Sequence, residues 1–124
     1  MSRIVIIEYD PLMRSLLVEW LTAEGYDVHG LADDYAQTPP PADLVIVDVY
    51  MPRCLGVDRL CSARRAYPGV PIIATSGQFR AGLDGAGPTA QGLGVHRVIA
   101  KPFGREALLD AVRSVIGLPV LDTG

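Results

Sequence analysis

Basic residues are in short supply in this chain of 124 residues. Eleven lysines and arginines face fourteen acids, for a net charge of -3. There is therefore no electrostatic footprint for nucleic acid and no polybasic patch for an anionic membrane surface. Only two cysteines occur, Cys54 and Cys61, without C-x-x-C spacing and without a nearby histidine. Zinc and dithiol chemistry thus lack support, and both residues are read as reduced thiols with no special role. No apolar run approaches the length of a membrane span, and the four branched apolar residues between Arg3 and Glu8 are too few for a secretory signal. The expected location is the cytoplasm. No internal repeat is present either.

What remains, 49% hydrophobic and 20% charged residues, describes an ordinary globular domain long enough to bury a core without disulfides or metal. Apolar runs of strand length recur at Ile4 to Ile7, Val28 to Leu31, Leu44 to Val47, Ile72 to Ala74 and Val98 to Ala100. Helical patterns alternate with them. Pro11 to Glu24 places Leu12, Leu16, Trp20 and Leu21 on one face, with Pro11 in the first turn and Gly25 as the stop. Val57 to Tyr67 carries Val57, Leu60, Cys61 and Arg64 at helical spacing. Arg105 to Ile116 sets Ala107, Leu108, Ala111, Val112 and Val115 inward, with Gly117 closing it.

Strands apolar on both faces that alternate with helices specify an α/β fold with a parallel sheet covered on both sides. The expected architecture is flavodoxin-like, a doubly wound five-stranded parallel sheet in the order 2-1-3-4-5. Two connections look weak. Asp33 to Thr38 runs into Pro39-Pro40-Pro41, which shortens the second helix to little more than a turn. Gly77 to Gly94 contains six glycines and Pro88, so a fourth helix there is expected to be short or disordered. Residues 1–118 form the domain and 119–124 a short tail.

A doubly wound sheet binds ligands beyond the carboxyl ends of its strands. Those ends carry Glu8, Tyr9 and Asp10 after the first strand, Asp48 after the third, Thr75 and Ser76 after the fourth, and Lys101-Pro102 after the fifth. Carboxylates suit a hard cation such as Mg²⁺, which takes one or two of them together with water and phosphate oxygens. A carboxylate can also accept a phosphoryl group when a metal and a cation neutralise the incoming oxygens. Taken singly, each residue has a plainer reading: Asp48 as a turn cap, Lys101 as one half of a surface ion pair.

The set Ile4 to Pro11, Asp48-Val49-Tyr50-Met51-Pro52 with Gly56, Pro71 to Gly77, and Lys101-Pro102-Phe103 resembles the receiver domain of two-component response regulators over nearly the whole chain. The resemblance implies a phosphorelay protein rather than an enzyme, with slow loss of the phosphoryl group to water. Asp48 would accept that group from a histidine kinase or histidine phosphotransfer protein. Glu8, Asp48 and the backbone carbonyl of Tyr50 would bind Mg²⁺, while Ser76 and Lys101 would hold the phosphate. A cis peptide at Lys101-Pro102 is expected on the same ground. Leu12, Met13, Pro102 and Phe103 would form the partner face.

Two positions depart from the family pattern. Receivers usually carry two consecutive acids after the first strand, the second a direct Mg²⁺ ligand, and here Glu8 is followed by Tyr9. A neutral phenol is a poor ligand for Mg²⁺. Asp10, one place on, or Glu8 itself could take over that role. Alternatively, Tyr9 plugs the acidic pocket and leaves a pseudo-receiver that signals without phosphate. Three residues before the lysine, Val98 replaces the usual aromatic switch residue, so activation is expected to travel through the glycine-rich segment instead. His29 and His96 lie away from the carboxylate end and are read as packing or surface residues. An aspartate-nucleophile phosphohydrolase would need a second acid two residues after Asp48, where Tyr50 stands.

Overall fold

The computed structural model describes residues 2–31, 41–48, 55–76 and 95–117, with the side chains of 55–59 and of Ser76 left aside. Five strands form one sheet: β1 (Arg3–Ile7), β2 (Asp27–Leu31), β3 (Leu44–Asp48), β4 (Ile72–Ser76) and β5 (Arg97–Ala100). All neighbours pair in parallel, in the order β2-β1-β3-β4-β5. Three helices occur among the described residues: α1 (Pro11–Ala23), α2 (Leu55–Ala66) and α3 (Arg105–Ile116). The doubly wound α/β expectation holds, with strands extended by one or two residues at their ends. None of these helices is long and apolar enough to cross a membrane.

Strand periodicity divides the core into two layers. Val5, Ile7, Val45, Val47, Ile72, Ala74 and Val98 face Leu60 and Ala63 of α2 and Tyr67 beyond it. Ile4, Ile6, Leu44, Ile46 and Ile73 face Leu17 and Leu21 of α1 and Leu108, Leu109 and Val112 of α3. Because successive side chains alternate across the sheet, a run such as Ile4 to Ile7 must be apolar throughout to serve both layers. All four of its residues are at most 1% exposed.

The two clearest helices are phased differently from expectation. In α1 the inward residues are Leu17 and Leu21, with Met13, Val18 and Trp20 half-buried against the same core, whereas Leu12 and Leu16 are exposed. Adjacent leucines at 16 and 17 leave the inner stripe ambiguous by one position. The phase is set instead at the start of the helix, where the Asp10 carboxylate accepts the Leu12 amide hydrogen bond at 3.0 Å and Pro11 opens the first turn. In α3, Ala107 is exposed, and Leu109 joins Leu108, Ala111 and Val112 in the core. The two predictions for Asp33 to Thr38 and for Gly77 to Gly94 lie outside the described residues, as do the Val57 side chain and the 119–124 tail.

Tyr67 is 7% exposed, and its hydroxyl has no hydrogen-bond partner among the described residues. Burial pushes its phenol above the ordinary value, so its stability contribution is complete below the unfolded pKa and lost as pH rises through the folded one. Tyr67→Phe is therefore expected to leave stability unchanged or raise it by up to about 1 kcal/mol at neutral pH. It should also weaken the loss of stability above about pH 10. Urea denaturation at neutral and alkaline pH checks both.

Candidate functional site

Strand parity explains why residues far apart in sequence meet. Glu8 continues the alternation of Ile4 and Ile6, Asp48 that of Leu44 and Ile46, and Lys101 that of Ile99, all on the α1 and α3 face. Each stands at the carboxyl end of its strand. The Lys101 ammonium lies 2.6 Å from Glu8 Oε1 and 3.1 Å from Asp48 Oδ1. The Glu8 side chain is 1% exposed and that of Asp48 11%, while Lys101 keeps 22%. One cation thus closes two buried carboxylates from the solvent side.

Burial by itself would lower the Lys101 pKa. The hydrogen bond to Glu8 and the charges of Asp48 and Glu8 outweigh that and hold the ammonium above its ordinary value. For Glu8 the largest influence is burial, which raises its carboxyl. Lys101 opposes it and Asp48 reinforces it, and the balance is upward. The pair therefore favours a charged lysine firmly, whereas Glu8 sits in a place that costs its charge something.

The loop between β1 and α1 is tightly fastened. The Glu8 amide donates to Leu31 O at 2.9 Å, and the Asp10 amide donates to Glu8 Oε2 at 3.3 Å. Asp10 turns its own carboxylate to the start of α1 as an N-cap and is exposed, so its side chain serves the helix. Tyr9 is 70% exposed. Its ring stands in solvent rather than in the acidic pocket, which corrects that expectation.

Asp48 pairs in register with Thr75, and Ser76 with Ala100. Ser76 is thus the last residue of β4, next to the end of β5. Tyr50 lies outside the described residues. Val98 is buried at 4% against the α2 layer, consistent with a packing residue. The Lys101-Pro102 peptide is cis, as expected. Of the partner-face residues, Met13, Pro102 and Phe103 line one groove with Leu16 and Lys101, while Leu12 stands at 82% exposure. His29, exposed in the middle of β2, and His96, exposed just before β5, lie away from the carboxyl end that carries Glu8 and Asp48. Among the described residues there is no cluster of three or more histidine, cysteine or acidic side chains able to hold a metal ion.

One contributor escaped the sequence reading. Arg14 Nη1 donates to Glu8 O at 2.9 Å and reaches within 3.5 Å of Tyr9 O. The signal was a lone cation in the first turn of a helix, where the helix dipole disfavours positive charge.

Residues 4–113 match the response regulator receiver domain family. The Mycobacterium tuberculosis transcriptional regulatory protein PdtaR is 31% identical over 92% of this chain and 56% of its own length. Agrobacterium fabrum regulatory protein VirG is 32% identical over 91% of this chain and 45% of its own. The chain thus spans about half the length of these curated regulators. The Thermotoga maritima chemotaxis protein CheY is matched over 97% of its length at 28% identity, with 92% of this chain covered. Among solved structures, Vibrio cholerae CheY4 superposes with a TM-score of 0.73 at 24% identity, over 93% of this chain and 98% of that one. Thermotoga maritima TrrA in complex with Mg²⁺-BeF gives 0.70 at 23%, over 93% and 99%. On the match across residues 4–113 and the 2-1-3-4-5 parallel sheet, the chain belongs to the response regulator receiver domain family.

Proposed function

We propose that this domain accepts a phosphoryl group on Asp48 from a phosphohistidine of a histidine kinase or histidine phosphotransfer protein, and signals by docking on a protein partner in the cytoplasm. The observation that carries this reading is the Lys101 ammonium 3.1 Å from Asp48 Oδ1 at the carboxyl edge of the sheet. In the step, an Asp48 carboxylate oxygen attacks phosphorus as the phosphorus–nitrogen bond breaks. The departing imidazole nitrogen keeps the electron pair and takes up a proton. Lys101 turns from carboxylate to the arriving phosphoryl oxygens, and Ser76 hydrogen-bonds another of them. Water later cleaves the acyl phosphate.

Glu8 and Asp48, two carboxylates converging on one cation, fit the donor set Mg²⁺ requires. They would hold it together with the Tyr50 carbonyl, and the ion would neutralise charge developing on the phosphoryl oxygens. Because Tyr9 faces solvent and Asp10 caps α1, no third carboxylate is supplied by the β1–α1 loop. That observation favours a second reading, a phosphorylation-independent interaction module with impaired Mg²⁺ binding.

Incubation with acetyl phosphate and Mg²⁺, followed by intact-mass measurement, separates the two. The expected result is a mass gain of one phosphoryl group that is absent in Asp48→Asn. An unmodified protein at saturating Mg²⁺, or an adduct that persists in Asp48→Asn, rejects the acceptor role.

A further inference from the structure

We infer that Arg14 is the positioning residue of the acceptor site, fixing the β1–α1 loop so that Glu8 faces Lys101 and Asp48 while Tyr9 faces solvent. This rests on the acceptor role proposed for Asp48. Of three successive carbonyls after β1, the Arg14 guanidinium takes the first two, and the third accepts the ordinary first-turn backbone bond of α1. The guanidinium lies 2.9 Å from Glu8 O and 3.5 Å from Tyr9 O, and the Arg14 amide donates to Asp10 O at 2.9 Å. With the Glu8 and Tyr9 carbonyls turned toward α1, the intervening peptide planes are set, and with them the opposite directions of the two side chains. A charged donor to a carbonyl makes a stronger hydrogen bond than a neutral one, which offsets the unfavourable place of a cation in a first helical turn.

The seat for this arginine comes from β2. A Cβ built on Gly30 would lie 3.0 Å from Arg14 Cγ, 3.3 Å from Arg14 Cδ and 3.0 Å from Val18 Cγ2. The half-buried arginine stem therefore runs across the bare backbone of Gly30, and a Cβ there would require it to give way by a few tenths of an ångström. Arg14 and Gly30 also line one groove with Ser15, Val18, Glu19 and Thr22. Arg14 touches neither Asp48 nor Lys101 in any contact described, so its influence passes through Glu8.

Arg14→Ala, Arg14→Lys and Gly30→Ala test the assignment. Two readouts are needed. The first is independent of phosphate: amide hydrogen exchange at Tyr9 and Asp10 is expected to quicken about tenfold in Arg14→Ala, with Ile4 to Ile7 unchanged. Arg14→Lys, which keeps a charged donor within reach of a carbonyl, should recover most of that protection, and Gly30→Ala should fall between. The second readout is the Mg²⁺ concentration for half-maximal phosphorylation by acetyl phosphate, expected to rise several-fold in Arg14→Ala at an unchanged maximal rate. Exchange rates in Arg14→Ala equal to those of the parent overturn the proposal. So does a uniform rise across β1, the mark of general destabilisation, or a fall in maximal rate alone. If the parent protein forms no adduct, the acceptor role fails while the exchange arm still decides on Arg14.

Discussion

Lys101→Met is expected to cost about 3 kcal/mol of stability near pH 8 and to slow phosphoryl acceptance from acetyl phosphate by roughly a hundredfold or more. The stability effect follows from what the lysine leaves behind. Glu8 is 1% exposed with Oε1 2.6 Å from the ammonium, and Asp48 Oδ1 lies 3.1 Å from the same nitrogen. Without the cation, burial and the Asp48 charge both raise the Glu8 carboxyl and nothing on Lys101 opposes them. A carboxyl whose folded pKa exceeds its unfolded one, about 4.3, contributes fully only below the unfolded value and loses that contribution as pH rises through the folded one. The deficit of the variant should therefore be small near pH 5 and grow toward pH 8. Urea denaturation at both pH values measures it, and adding Glu8→Gln to Lys101→Met should remove most of the pH dependence. An equal loss at both pH values would mean that the lysine acts through packing of its stem rather than through charge.

Kinetically, the same substitution removes an ammonium 3.1 Å from Asp48 Oδ1. Phosphoryl oxygens arriving at Asp48 would meet two carboxylates without the compensating charge of that ammonium. Because both effects share one nitrogen, they should appear together in Lys101→Met and separately in Glu8→Gln, which relieves charge crowding but keeps the ammonium on Asp48.

Much of this arrangement was legible in the sequence because it follows from period-two alternation. Ile4 to Ile7 and Leu44 to Val47, short branched apolar runs alternating with helical patterns, read as strands buried on both faces, and the polar residue that ends each run, Glu8 or Asp48, then falls at the edge of the sheet. Lys101 joins the same edge in the sequence because it ends the fifth strand, but its ion pair with Glu8, 93 positions away, is a finding of the structure. Two matters were not legible. The inner face of α1 turned on whether Leu16 or Leu17 packs inward, and the Asp10 cap decides it through a local hydrogen bond that hydrophobic spacing does not register. The direction of Tyr9 was equally hidden, since it depends on carbonyls held by Arg14 rather than on anything a phenol prefers. The sequence suggests Asp10 as a replacement ligand, whereas its carboxylate is engaged as the N-cap of α1.

Tyr9→Asp is expected to tighten Mg²⁺ binding by about tenfold at low ionic strength, with little change in fold stability. At 70% exposure the ring contributes little packing, and surface substitutions of this kind usually stay within about 0.5 kcal/mol. The electrostatic consequence is larger. Glu8, Asp48 and Lys101 together carry one net negative charge when all are ionised, and an aspartate at position 9 makes it two. One added negative charge a few ångström from a divalent ion is worth on the order of 1–2 kcal/mol in a water-like medium, hence the tenfold figure. Tyr9→Asn separates charge from size: it removes the ring without adding charge and should leave Mg²⁺ affinity near that of the parent. Screening supplies a further check, because an exposed charge loses its effect at about 1 M salt, where the Debye length is roughly 3 Å. The titration can be followed by NMR at the Lys101 and Asp10 amides. Equal affinity in Tyr9→Asp and Tyr9→Asn would mean that the loop holds position 9 too far from the acids to matter. In that case Tyr9 is no lost ligand but a surface residue, and the metal affinity would be set by Glu8 and Asp48 between them.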